Sequence, residues 1–182
     1  RTDPTRVAAI VGSGIGGILI LSEQYQVLQE RGARRVSPFL IPKMLTDMAP
    51  SQVSMSLGIK GLNFSPVSSC SSGAEAIGLA WNQIRSGESD IVLAGGAEAP
   101  ICPIVIAGFN SCHALSHRND DPKRASRPFD SQRDGFVIGE GSAILVLESL
   151  ESVRSRDAQV LAELIGYGAT SDAYHVTQPT PD

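Results

Sequence analysis

The chain has 182 residues, enough for one good hydrophobic core, and reads as a single domain or a piece of a larger one. Hydrophobic residues at 42% and charged residues at 19% are ordinary for a globular protein in water. A formal net charge of −4 gives no electrostatic reason to expect nucleic acid or an anionic membrane as partner, and no apolar run approaches the ~18–20 residues of a membrane span.

In chain order, Arg6-Val-Ala-Ala-Ile-Val11 reads as a strand and runs into the glycine turn Gly12-Ser-Gly-Ile-Gly-Gly17. The spacing then predicts a helix from about Ile18 to Arg31, stopped by Gly32. Ser37-Pro-Phe-Leu-Ile-Pro42 is expected to be extended, and Lys43 to Leu57 mostly helical with a break or kink at Pro50. Gly61 to Ser68 has the β-branched, turn-bounded pattern of a strand, and Ala74 to Arg85 that of a helix ended by Gly87. Asp90 to Ala94 is a short apolar run ending in Gly95-Gly96, as in a buried strand. Ile104 to Leu115 is predicted helical, and Ser116 to Arg133 a long polar loop of the kind that is functional or interfacial when ordered. Ser142 to Glu148 is a further buried-strand candidate, Leu150 to Arg156 a short helix, and Gln159 to Tyr167 another strand. Strands alternating with helices indicate a layered α/β domain. The N-terminus carries no initiator Met and no signal-peptide core, and Thr177-Gln-Pro-Thr-Pro-Asp182 reads as a cut end.

Cys70 carries the chemistry. It falls between the strand at 61–68 and the helix at 74–85, so its thiol lies at a helix N-terminus. There, unpaired backbone N–H groups and the helix dipole favour a thiolate, and the same N–H groups can steady an oxyanion on a bound carbonyl. This is the architecture of a nucleophilic acyl-transfer cysteine. Cys102 and Cys112 read instead as small buried hydrophobes. Three cysteines cannot all pair, the C-x₂-C spacing of a zinc site is absent, and a cytosolic chain with reduced thiols is expected.

Other motifs carry less. Gly12-x-Gly14-x-x-Gly17 follows a strand and opens a helix, but the segment 34–42 brings no acidic residue to bind a ribose hydroxyl, so close glycine packing is the better account. Asp130-Ser-Gln-Arg-Asp134-Gly135 begins like a calcium loop but has Gln132 third and Gly141 twelfth, where ligands are needed. His113 and His117 are placed on the surface. His175 lies just past the strand expected at 159–167, where sites of α/β folds tend to sit.

Taken together, the chain resembles the condensing enzymes of fatty-acid synthesis, the β-ketoacyl-[acyl carrier protein] synthases, most of all the type II elongating synthase. The resemblance rests on Gly12-Ser-Gly-Ile-Gly-Gly17, Arg35-Val-Ser-Pro-Phe39, Ser68-Ser-Cys-Ser-Ser-Gly73, Ala94-Gly-Gly-Ala-Glu98 and Arg118-Asn-Asp-Asp-Pro122. It continues through Ala125-Ser-Arg-Pro-Phe-Asp130, Arg133-Asp-Gly-Phe-Val-Ile-Gly-Glu-Gly141 and Asp172-Ala-Tyr-His175. It implies a thiolase-like fold, in which two α/β halves form a five-layer sandwich. Residues 1–182 then form a partial ketosynthase domain, truncated at both ends: the N-terminal half and the start of the C-terminal half. It implies that Cys70 takes an acyl group from the phosphopantetheine of an acyl carrier protein, and that the enolate of decarboxylated malonyl carrier protein attacks the thioester. Ile15 matches the floor of the acyl pocket, Phe109 and Phe136 aromatic residues of the pocket or near the nucleophile, and His175 and Thr177 positions along the pantetheine tunnel.

The resemblance further implies a cytoplasmic homodimer, with acyl carrier protein as partner and no resident cofactor or metal. The family's two catalytic histidines, in His-Gly-Thr and Gly-His segments, and the lysine before the second do not occur in this chain. The second oxyanion donor is absent as well, and His175 belongs to a different position. Ser69 stands where alanine is usual, and Pro50 where a small helical residue is usual. The chain thus carries the nucleophile half of an active site, and alone it is expected to be inactive. A polyketide ketosynthase shares most of these blocks; a non-catalytic chain-length-factor-like subunit would replace the nucleophile.

Overall fold

A computed structural model describes residues 2–181. Strand β1 (Val7–Gly12) runs through the middle of the molecule, followed by α1 (Ile18–Arg31), α2 (Leu40–Met44) and α3 (Met48–Leu57). Next come β2 (Asn63–Phe64), α4 (Ser72–Arg85), β3 (Ile91–Glu98), α5 (Pro103–Ser111), β4 (Gly141–Glu148) and α6 (Leu150–Ser155). The sheet order is β2-β1-β3-β4, with β2, β1 and β3 parallel and β4 antiparallel to β3. Three parallel strands therefore end on the same side, and the turns after them meet there.

The core explains why β1 reads as an unbroken apolar run. Ala8, Ala9, Ile10 and Val11 are all buried, so both faces of the strand are covered. On one face Ala8 and Ile10 join Val92 and Ala94 of β3 against Ala76 and Ala80 of α4. Four alanines in that cluster let the helix lie close on the sheet, and Ile77, Leu79, Ile84 and Leu147 seal its margin. The side chains of Ala9 and Val11 alternate to the opposite face, and α3 also packs against β1.

Several expectations are met: β1, α1 with its Gly32 stop at φ +79°, α4, β3, α6 and the Gly87 turn at φ +76°. Others are corrected. Residues 37–42 are not extended; they form a turn and then α2, whose third residue is Pro42. Pro50 likewise is the third residue of α3, where a backbone N–H has no intrahelical acceptor, so it causes no kink. The break falls between the helices, at Leu45–Asp47. Of the strand expected at 61–68, only Asn63 and Phe64 pair with β1.

The strand β4 was expected to be buried, but in this chain it is the sheet edge, and Ile144, Leu145 and Val146 are exposed. Residues 159–167 form no strand and do not pair with the open edge of β4. They rest on α4 instead: Trp81 Nε1 donates to Leu164 O at 3.0 Å, and the Tyr167 ring lies against Gly78. Finally, Cys112 is exposed while Cys102 is buried.

One ionic contact secures the last helix. At the end of β4, the Glu148 carboxylate accepts from Arg156 Nε at 2.8 Å, from Arg156 Nη2, and from Ser152 Oγ at 2.7 Å. The guanidinium hydrogen bonds hold the Glu148 carboxyl below its usual range, against the opposing effect of burial. A carboxyl whose folded pKa is depressed stabilises the fold above its unfolded pKa, and that contribution is lost as pH falls through the folded value. In the intact protein, Glu148→Gln is expected to lower the melting temperature at neutral pH. The difference from wild type should begin to shrink as pH falls below about 4.5 and vanish only once pH is below the depressed folded pKa. Thermal melts of the two proteins across pH 3–8 check this.

Candidate active site

The Cys70 turn follows where β2 leaves the sheet. Residues Ser69–Ser71 make one 3₁₀ turn that leads directly into α4. Ser69 takes a left-handed conformation, φ +52°, which costs a non-glycine residue of order 1 kcal/mol and is sustained by what surrounds it. Two serines hold it. The buried Ser72 hydroxyl accepts from Ser68 N at 3.0 Å and donates to Ser69 O at 2.7 Å; Ser71 Oγ donates to Ser68 O at 2.8 Å. With its backbone fixed on both sides, Cys70 stands exposed. The first hydrogen bond of the turn runs from Ser71 N to Ser68 O. The Cys70 N–H thus precedes the bonded run, among the donors that a helix N-terminus leaves free.

The glycine turn after β1 lies against this one. A Cβ on Gly12 would come within 2.2 Å of Ser72 O, and one on Gly14 within 3.3 Å of Ser69 O. Gly17 fails the same test against Lys43 O, at 2.3 Å. Close packing is therefore what the glycines are for. The turn's donors are also already taken: Glu98, at the end of β3, accepts from Gly14 N, Ile15 N and Ser13 Oγ. A carboxylate of the chain itself fills the place a nucleotide phosphate would need. Sequence reasoning passed over Glu98, although a carboxylate just beyond a buried strand and two glycines marks the same end of the sheet as Cys70.

Ile15 thus sits on a turn pressed against the Cys70 turn and is partly exposed. Phe109 of α5 and Phe136 are brought together edge to face, with ring centroids 5.1 Å apart. The long loop between them is closed at its base. Phe136 N donates to Ala114 O at 2.9 Å and Ser116 N to Phe136 O at 3.0 Å. Asp134 accepts from Ser116 Oγ at 2.7 Å and from His117 N at 3.0 Å. These hydrogen bonds, the Ser116 hydroxyl first, hold the Asp134 carboxyl below its usual range.

His113 and His117 are exposed, as expected. His175 and Thr177 lie in an exposed terminal turn whose bonds are local: His175 Nδ1 accepts from Thr177 N at 3.1 Å and Gln178 N at 3.2 Å. Their hydrogen bonds do not join them to Cys70. A cleft of about 480 Å³ is lined by Ser13, Gly16, Lys43, Thr46, Glu98 and Glu140 among others; Cys70 is not part of its lining. Among the described residues, no group of His, Cys, Asp or Glu side chains could hold a metal ion.

Residues 1–152 match the family model of the β-ketoacyl synthase N-terminal domain. The chain belongs to the β-ketoacyl synthase family. A curated relative, 3-oxoacyl-[acyl-carrier-protein] synthase 2 of Synechocystis sp., is 48% identical over 97% of the chain and 42% of its own length. This β-ketoacyl synthase chain thus spans less than half the length of that relative. The crystal structure of a β-ketoacyl synthase from Burkholderia phymatum superposes with a TM-score of 0.86 at 37% identity, over 96% of this chain and 43% of that one. A type II polyketide ketosynthase, solved with its acyl-carrier protein, gives 0.89 at 33% identity, over 96% and 44%. The mixed α/β architecture is therefore that of the thiolase-like ketosynthases, and this chain supplies one sheet of it with its helices.

Proposed function

We propose that the protein elongates acyl chains by decarboxylative Claisen condensation, with Cys70 as the acyl acceptor. The observation that carries the reading is the exposed Cys70, held in a strained turn at the head of α4, in a chain 48% identical to a 3-oxoacyl-[acyl-carrier-protein] synthase. In the first half-reaction the Cys70 sulfur attacks the carbonyl carbon of an acyl thioester on the phosphopantetheine arm of an acyl carrier protein. The C–S bond to the arm breaks, its thiolate leaves and takes up the proton released by Cys70, and the acyl group stays on Cys70. The Cys70 N–H, at a helix start, is positioned to steady the oxyanion of the intermediate.

In the second half-reaction malonyl carrier protein loses carbon dioxide. Its enolate attacks the Cys70 thioester, releasing the thiolate and the β-ketoacyl carrier protein. The histidines, the lysine and the second oxyanion donor for that half belong to segments outside this chain. The pantetheine arm arrives on the carrier, so the reaction asks for no cofactor resident in the protein.

Ile15, Phe109 and Phe136 are proposed for the acyl pocket, and His175 and Thr177 for the pantetheine path. The acyl carrier protein as partner is supported by the related ketosynthase solved with its carrier. We also propose a homodimer, because the edge strand β2 leaves Leu62, Phe64 and Val67 exposed beside the nucleophile turn, a surface suited to a second copy. Among the described residues no helix is long and apolar enough to cross a membrane, consistent with the proposed cytoplasmic location. The polyketide ketosynthase reading is favoured less, since that relative shares 33% identity against 48%.

The test is to incubate the intact protein with a saturated acyl carrier protein thioester and locate the adduct by peptide mass spectrometry. An acyl mass on the Cys70 peptide is expected. An adduct elsewhere, or none, overturns the assignment; acceptance of polyketide starters alone overturns the fatty-acid reading.

A further inference from the structure

In the sheet, β1 stops at Gly12, opposite Gly96, whereas β3 continues for two residues more. On that side the last of them, Glu98, meets the turn Ser13–Gly16 instead of a strand. The turn presents four donors in a cluster. Gly14 N reaches Glu98 Oε2 at 2.5 Å and Ile15 N reaches the same oxygen at 3.1 Å. Ser13 Oγ donates to Oε1 at 3.0 Å and itself accepts from Gly16 N at 3.0 Å. Successive backbone N–H groups converging on one anion form a nest, and here the anion is built into the chain. Gly14 is thereby held between two groups, the Glu98 carboxylate and the carbonyl of Ser69, the strained residue immediately before Cys70.

We propose that Glu98 is a positioning residue for Cys70, acting through the Ser13–Gly16 turn; the proposal rests on the acyl-transfer function above. The carboxylate fixes the turn, and the turn is the wall against which the Ser69–Cys70 backbone keeps its geometry. Removing the carboxylate leaves two N–H groups and a hydroxyl without their common acceptor, and the turn must reorient to find others. Cys70 stays exposed after such a shift, so a small reagent still reaches it. An acyl donor is more demanding, because its carbonyl must meet the sulfur and the Cys70 N–H together. Chemistry also predicts which replacement works. The oxygen of a glutamine can accept both backbone N–H groups, and its NH₂ can donate to Ser13 Oγ, which has lone pairs to spare. An aspartate keeps the charge but is one methylene too short to span the cluster.

The experiment compares Glu98→Ala, Glu98→Asp and Glu98→Gln with wild type in the intact protein. Two rates are read at Cys70: alkylation by iodoacetamide, and acylation by an acyl carrier protein thioester followed to saturation. The Ala and Asp variants should lose about tenfold or more in the maximal acylation rate, with KM and the iodoacetamide rate within about twofold of wild type. The Gln variant should recover to within about threefold of wild type. Wild-type acylation in the Ala and Asp variants, a Gln variant no better than Ala, or an equal loss of both rates overturns the proposal. If the Ala variant does not fold, the Asp–Gln pair decides by the same criteria. A wild-type protein that is alkylated at Cys70 but never acylated removes the acyl-transfer reading, and this inference with it.

Discussion

Cys70→Ser in the intact protein is expected to reduce single-turnover acylation by about 10³-fold or more while leaving the melting temperature unchanged. The reason lies in what surrounds the sulfur. Among the described residues, the side chains that hydrogen-bond within the Cys70 turn are Ser68, Ser71 and Ser72, and none of these is a base. What this turn itself offers the reaction is the thiol's own nucleophilicity and its place at a helix start. A serine hydroxyl is far less acidic and less nucleophilic than a thiol, and a place at a helix start does not make up that difference. The side chain is exposed, so the substitution opens no cavity and disturbs no packing. Cys112→Ser, also exposed but on the loop after α5, should acylate at the wild-type rate. Mass spectrometry of the protein quenched after a single exposure to acyl carrier protein thioester measures both variants. Retention of acylation by Cys70→Ser within about tenfold of wild type would remove Cys70 from the proposed mechanism.

How much of this was visible in the sequence depended on whether the deciding contact was local. The helix α1 with its Gly32 stop, and the placing of Cys70 between strand and helix, follow from residues within a few positions of one another, and both hold. The departures have separate causes. Residues 37–42 and Pro50 were misread because a proline is equally at home in a turn and in the first turn of a helix, and only the N-terminal boundary of α2 or α3 separates the two. The apolar runs at 142–148 and 159–167 look like strands because they are apolar, but their pairing and burial depend on what stands beside them. In this chain β4 is an edge, and 159–167 leans on Trp81 and Gly78. Cys112 was read as buried from residue type alone, and the end of α5 exposes it.

For the site, the same division holds. The placement of Cys70 at a helix start was legible because it depends on its neighbours in sequence. The Glu98 clamp joins residues more than eighty positions apart, and no local pattern announces it. The glycine turn lies between these cases. Its resemblance to a nucleotide fingerprint is local, but its purpose became clear only from the backbone of α4 and the Glu98 carboxylate that press upon it.

Gly12→Ala tests that purpose directly and should be strongly damaging. The added methyl would lie 2.2 Å from Ser72 O, 2.4 Å from Ser72 C and 2.9 Å from Ser72 Cβ. These are backbone atoms and the root of a buried side chain, so no flexible tip can swing aside. To relieve the clash, α4 would have to slide along the sheet, but Ala76 and Ala80 are packed without gaps on Ala8, Ile10, Val92 and Ala94. Overpacking of this kind costs about 3 kcal/mol. Ser72 also carries the hydroxyl that bridges Ser68 N and Ser69 O, so whatever shift α4 makes is passed to the Cys70 turn. In the intact protein, Gly12→Ala is therefore expected both to lower the denaturation midpoint and to slow Cys70 acylation beyond what the unfolded fraction explains. Urea unfolding and acylation of the folded fraction, measured on the same preparation, separate the two effects. A variant with unchanged midpoint would show that the two turns are not in contact; one that is destabilised yet acylates normally when folded would show that the contact supports the fold alone.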